Sequence, residues 1–266
     1  MGARLAGLLG RVRMLRFGVA TLVTAGLVLA AVPAGGEELV GVRTAAEGAS
    51  PTAQLRVMPL GASSTEGIGS PDTAGYRLPL FRDLAADGVR VNFVGSLRSG
   101  PASLPDRDNE GHSGWTLEGM VPYVGGWVRA ADPDVVLLHM GTNDIGSGAT
   151  GQVAAGRLDA LLDEIFDAAP QTHVVVAGIW AKMPQRAAAR AELARLTPGV
   201  IARHRVLGHS VEFVDTSDLL ASPTDFSDGL HANAGGYAKI ARMWTGRVEG
   251  WLSAQRPVPA QAALTR

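Results

Sequence analysis

The chain has 266 residues, 24 basic against 25 acidic side chains for a formal net charge of -1, an apolar fraction of 46% and no cysteine. The length holds one large domain with a sizeable core, and the high apolar content with few charges excludes intrinsic disorder. Near-zero charge excludes the basic footprint of a nucleic-acid binder, and the missing thiols exclude a disulfide framework, a thiolate nucleophile, an iron–sulfur cluster and a cysteine-based zinc site.

In chain order, Arg4, Arg11, Arg13 and Arg16 precede an uncharged apolar stretch at residues 17–31 and the small-residue segment Val32-Pro33-Ala34. This is the pattern of a secretory signal peptide over residues 1–34, because the apolar stretch is shorter than the ~20 residues of a membrane span. The arginines form no twin-Arg pair, which favours the general secretory route. Removing this segment takes away four arginines and no acidic residue, leaving 20 basic against 25 acidic side chains. The expectation is a mildly acidic extracellular protein, monomeric, without stable membrane insertion and without polyanionic partners. Residues 35–54 read as a flexible leader, residues 55–253 as one domain and residues 254–266 as a disordered tail.

Within the domain, five short apolar runs predict buried strands: residues 56–60, 89–94, 135–140, 173–179 and 211–214. Continuous Val/Leu/Ile runs suit a parallel sheet covered on both faces. Helical patterns separate them. Over residues 155–168, Leu158, Leu161, Leu162, Ile165 and Phe166 form one stripe, and residues 234–252 repeat the device with Tyr237, Ile240, Ala241, Trp244 and Val248. Alternating strand and helix predict βαβ units, hence a three-layer α/β/α sandwich around a five-stranded parallel sheet.

Ligands of such sheets sit beyond the carboxyl ends of the strands. Three polar clusters follow predicted strands: Gly61-Ala62-Ser63-Ser64-Thr65, Gly141-Thr142-Asn143-Asp144 and Asp225-Phe226-Ser227-Asp228-Gly229-Leu230-His231. A serine becomes a strong nucleophile when a base takes its proton and a third group orients that base. Ser63 in a strand-to-helix turn, His231 as base and Asp228 three residues before it supply those parts. Backbone N–H groups of the turn and the Asn143 amide supply donors for an oxyanion.

Four ordered blocks resemble the SGNH (GDSL-type) hydrolases: Gly61-x-Ser63-x-Thr65, then Gly114 within Gly111-His112-Ser113-Gly114-Trp115-Thr116, then Gly141-x-Asn143-Asp144, then Asp228-x-x-His231. The resemblance implies a flavodoxin-like fold with strand order 2-1-3-4-5 and ester hydrolysis through an acyl-enzyme. It assigns Ser63 as nucleophile, His231 as base, Asp228 as its partner, and the Ser63 N–H, the Gly114 N–H and the Asn143 side chain as the oxyanion hole. The segment from Phe93-Val94-Gly95-Ser96 to Glu110-Gly111-His112-Ser113-Gly114-Trp115-Thr116 is similar to secreted acetylxylan esterases of carbohydrate esterase family 3. That implies an acylated carbohydrate or other small ester as substrate and no cofactor. One position departs from the family pattern: the usual Asp between the first Gly and the nucleophile is Ala62, which removes a charge and an acceptor beside the nucleophile.

Other readings compete. Ser64 is an adjacent hydroxyl, and Asp225 and Asp218 are further carboxylates near His231. Asn143-Asp144 also fits ordinary turn chemistry. His112 reads as structural or solvated and His139 as a satisfied core histidine, while His173, His204 and His209 have no partner pattern. Asp106, Asp108, Asn109 and Glu110 lack the spacing of a calcium loop and read as a solvated surface. Trp115 and Tyr76 can stack on sugar or serve the core. A short-chain lipase or acyltransferase with the same triad, and a non-catalytic carbohydrate-binding relative, are the alternative functions.

Overall fold

The computed structural model describes residues 54–255. The expected signal peptide, all but the last residue of the expected leader, and the expected tail beyond residue 255 lie outside the described residues. Strands β1 (Leu55–Gly61), β2 (Val91–Phe93), β3 (Leu97–Arg98), β4 (Asp108–Gly111), β5 (Val135–His139), β6 (His173–Ala177) and β7 (Val211–Val214) form one sheet. Helices α1 (Ser63–Glu66), α2 (Arg77–Ala86), α3 (Leu117–Ala131), α4 (Thr142–Gly146), α5 (Gly151–Ala168), α6 (Ala187–Val206) and α7 (Ala234–Gln255) connect them.

The five expected strands pair in parallel in the order β2-β1-β5-β6-β7, which is the implied 2-1-3-4-5 order. Side chains alternate between the two layers, as the two-residue period of a strand requires. In β5, Val136 and Leu138 enter one core with α3, α5 and α6, while Val135 and Leu137 enter the other with α2 and α7. Thr116 and Thr150 cap α3 and α5 by accepting the Gly119 and Val153 N–H groups, each at 3.1 Å. The Thr150 cap starts α5 at Gly151, four residues before the expected start at residue 155.

The sheet has seven strands where five were expected. The second position beside β1 is shared: β2 pairs with its first half through Leu55↔Val91 to Val57↔Phe93, and β4 with its end through Leu60↔Glu110 and Gly61↔Gly111. The two-residue β3 then adds antiparallel to β4. β4 has no apolar run to announce it, because its buried residues are Asn109 and Glu110. Both are satisfied locally. Glu110 accepts from the Ser96 N–H and hydroxyl at 2.7 Å each, and Asn109 donates to Ser99 Oγ at 3.0 Å and accepts from the Gly111 N–H at 3.0 Å. The segment expected to be a solvated acidic surface is thus an inward-working strand. Asp106 also works inward, accepting from the Phe93 N–H at 2.6 Å.

Candidate active site

β1 ends at Gly61, and the chain turns through Ala62 into α1 with Ser63 as its first residue. The turn is tight because β5 and α1 converge on Gly61: a Cβ there would overlap the Thr65 hydroxyl and the His139 carbonyl. The buried Thr65 and the glycine therefore fit one another, which gives the Gly-x-Ser-x-Thr spacing a steric cause. Ser64 is also buried, whereas Ser63 is half-buried at the rim. Ala62 provides no side-chain cap, and its carbonyl takes the Thr65 and Glu66 N–H groups at 3.0 and 3.1 Å.

The loop before α7 carries Asp228 and His231. His231 Nε2 lies 2.9 Å from Ser63 Oγ, and His231 Nδ1 lies 2.7 Å from Asp228 Oδ2. Asp228 Oδ1 accepts the backbone N–H groups of Leu230 at 3.0 Å and His231 at 2.7 Å, so one carboxylate holds both the ring and its own turn. Hydrogen bonding to His231 keeps the Asp228 carboxyl ionised, lowered to about 2. With Nδ1–H donated to Asp228, Nε2 is the ring atom placed to accept the Ser63 proton. Asp225 is engaged elsewhere: it pairs with Lys239 Nζ at 2.7 and 2.8 Å and closes a capping box with Ser222.

Asn143 stands on α4, which Gly141 opens from the left-handed region at φ 101°. One of its amide hydrogens goes to the Trp115 carbonyl at 2.7 Å, leaving the other free for a substrate atom. Asp144 is a structural tie, buried, accepting from the Leu117 N–H at 2.9 Å and Arg157 Nη1 at 3.0 Å. Ser63, Asn143, His231, Met140, Trp180 and Leu230 help enclose a cavity of about 10 Å³. Gly114 is exposed at φ 81° in the turn where the Trp115 N–H donates to the His112 carbonyl at 3.2 Å. It does not line that cavity.

Other expected candidates resolve differently. His139 is buried and stacks on Trp180 with ring centroids 3.3 Å apart and planes 4° apart. It is not the satisfied core histidine expected, since its Nε2 has no partner among the described residues, and burial pushes its pKa down to about 3. His112 is structural, held by Glu110 at 2.6 Å and stacked on Trp127. Tyr76 belongs to the core. Among the described residues no group of three or more metal-ligating side chains converges.

Sequence reasoning missed Arg77. It is fully buried at the start of α2 and donates to the carbonyls of Thr65 at 3.2 Å, Glu66 at 2.9 Å, Thr73 at 2.9 Å, Ser99 at 2.9 Å and Arg107 at 3.2 Å. One guanidinium thus fastens the end of the helix that begins with Ser63 to two loops. Its sequence neighbourhood, Gly75-Tyr76-Arg77-Leu78-Pro79, carries no signal that the charge points inward.

The sequence model of the GDSL-like lipase/acylhydrolase family matches residues 60–239. The chain is 28% identical over 234 residues to a multidomain esterase of Ruminococcus flavefaciens, covering 75% of this chain and 29% of that protein. It therefore spans less than a third of that relative's length. Among solved structures it is similar to a family 3 carbohydrate esterase of Clostridium thermocellum, at 37% identity and a TM-score of 0.67, covering 76% of this chain and 98% of that one. A carbohydrate esterase family 3 structure from Talaromyces cellulolyticus matches at 25% identity and a TM-score of 0.65, covering 76% of this chain and all of that one. With two thirds of its length matched by the family model and its fold shared with these esterases, the chain belongs to the GDSL-like lipase/acylhydrolase family.

Proposed function

We propose that the protein is a secreted serine esterase that removes acetyl groups from a polysaccharide such as acetylxylan. The hydrogen-bonded series Asp228–His231–Ser63 carries the reading, since it joins an ionised orienter, a neutral base and a hydroxyl in sequence. His231 Nε2 takes the Ser63 proton as Oγ attacks the acyl carbonyl, forming a tetrahedral oxyanion. The Ser63 N–H, the Gly114 N–H and the free Asn143 amide hydrogen are its donors in this reading. His231 then returns the proton to the departing sugar oxygen, leaving an acetyl-serine. Water, deprotonated by the same nitrogen, attacks that ester and releases acetate and free Ser63.

The size of the cavity favours acetyl over longer acyl groups. At about 10 Å³ it takes a group about as large as a water molecule or a methyl, with Met140, Trp180 and Leu230 among its lining. Similarity to family 3 carbohydrate esterases supports the polysaccharide. The cationic and apolar pattern of residues 1–34 supports secretion.

The test is acetate release from acetylated xylan by the purified protein, with Ser63→Ala as control. The expected result is release by the wild type and a loss of at least about 10³-fold in the variant. Equal inertness of both proteins on acetylated xylan and on short chromogenic esters overturns the reading.

A further inference from the structure

Beside the triad, four aromatic rings lie against one another. His112 stacks on Trp127 with centroids 4.2 Å apart, Trp127 stacks on Tyr123 at 5.8 Å, and Trp115 meets Tyr123 edge-on at 5.5 Å. The rings come from two places: His112 and Trp115 from the turn after β4, and Tyr123 and Trp127 from positions four apart on α3, hence one helix face. Trp115 and Trp127 rest partly on the core. Tyr123 joins neither core cluster and is 53% exposed. A lone exposed aromatic means little, but a contiguous strip of rings bordered by polar groups is the form of a ligand surface.

The strip is tied to the neighbourhood of the triad through the Trp115 backbone. The Trp115 carbonyl holds Asn143, which shares its cavity with Ser63 and His231. Trp115 also borders an open groove of about 340 Å³ together with Glu66, Arg98, Ser99 and Ser113. The charges there are already engaged, Arg98 with Asp108 at 2.9 Å and Glu66 with the Ser113 hydroxyl. Such a groove suits a neutral ligand rich in hydroxyls better than an anion or a bare acyl chain. A pyranose has that character, with an apolar C–H face to lay on a ring and hydroxyls around its edge.

Building on the reading of the site as a polysaccharide deacetylase, we propose that Tyr123, backed by Trp127 and met edge-on by Trp115, forms a stacking platform for a sugar ring flanking the acetylated one. In the groove, the Glu66 carboxylate oxygen not bonded to Ser113 accepts from the hydroxyls of that ring. The platform gives the enzyme grip on a chain that a small ester lacks.

The experiment titrates an unacetylated xylo-oligosaccharide into wild type, Tyr123→Ala and Tyr123→Phe, following tryptophan fluorescence, with thermal melting to verify that each variant folds. The expected result is saturable binding by the wild type, a dissociation constant raised about three- to tenfold in Tyr123→Ala, the size of one aromatic contact, and near-wild-type affinity in Tyr123→Phe. Equal affinity of folded Tyr123→Ala and wild type, or no binding by the wild type, overturns the platform. Cleavage of a short chromogenic acetate by the wild type is measured in parallel. It reports on the esterase reading alone, so a protein that cleaves the ester without binding the oligosaccharide loses only the platform. A protein that binds through Tyr123 without cleaving loses only the esterase.

Discussion

Arg77 Nη2 donates to the Glu66 carbonyl at 2.9 Å from a position with no solvent exposure, so a buried charge holds down the last residue of the helix that begins with Ser63. Removing it leaves several carbonyls without their donor in the interior. Arg77→Met is expected to destabilise the protein by about 3 kcal/mol or more. At this size that lowers the melting temperature by roughly 6–12 °C. Arg77→Lys should recover only part, because a single ammonium cannot span the Thr65, Ser99 and Arg107 carbonyls together. Calorimetric melting of both variants checks this, and an unchanged Arg77→Met would refute the fastening role.

Gly61 gives a second, purely steric expectation. A methyl there meets the Thr65 hydroxyl and the His139 backbone, neither of which can retreat far inside the packed sheet. Gly61→Ala should cost about 1–3 kcal/mol and lower kcat for a short ester more than it changes KM, since the displaced group is the Ser63 turn. Steady-state kinetics beside a denaturant titration separates the two effects.

Asp228 sets a pH dependence of stability. Its carboxyl titrates at about 2 in the folded protein, below the ~3.9 of an unfolded chain. A depressed folded value means the stabilisation is fully present above the unfolded value and is lost as pH falls through the folded one. The wild type should therefore lose stability relative to Asp228→Asn between about pH 4 and pH 2. The carboxylate is half exposed, which screens the effect and keeps it small. Parallel acid titrations followed by circular dichroism read the difference, and superimposable curves would count against the Asp228–His231 bond.

His139 acts over a different window. In the unfolded chain it takes its proton near 6.5, but in the fold only near 3. Below pH 6.5 the unfolded state binds the extra proton, so stability falls as pH drops from about 6.5 towards 3. His139→Phe keeps a ring against Trp180 and discards the titration. The variant should gain on the wild type by on the order of a few kcal/mol across that interval, measured by urea unfolding at a series of pH values.

The parts of the molecule most legible from sequence were those with local causes. Buried strands such as β5 and β6 announce themselves as Val/Leu runs, and the α5 stripe has the period of a helix. The joining of Ser63 to His231 across 168 positions is long-range, but both lie in polar loops after strands, which the parallel topology brings to one rim. β4 escaped because its burial is polar: Asn109 and Glu110 are inside only because Ser96, Ser99 and His112 meet them there. Arg77 escaped for the same reason, since its acceptors are five backbone carbonyls and the Ser99 hydroxyl, which leave no sequence signature. The stacked partner of His139 came from another strand's loop, which a periodicity in β5 does not encode.

The edge of β1 is divided end to end, with β2 along residues 55–57 and β4 along residues 60–61. The intervening chain adds β3 antiparallel to β4 and then rejoins β1 on the same edge. It lies outside the register of the central strands but is tied by Ser96 to Glu110 and by the Ser99 and Arg107 carbonyls to Arg77, and it holds Arg98 and Ser99 at the groove. The Ser63 turn is fixed as well, because Gly111 returns against Gly61 through backbone pairing and a Cβ on either glycine would overlap neighbouring atoms. The turn that carries Ser63 is thus set by glycine-tight backbone packing, and the excursion that borders the groove by side-chain ties to Arg77 and Glu110.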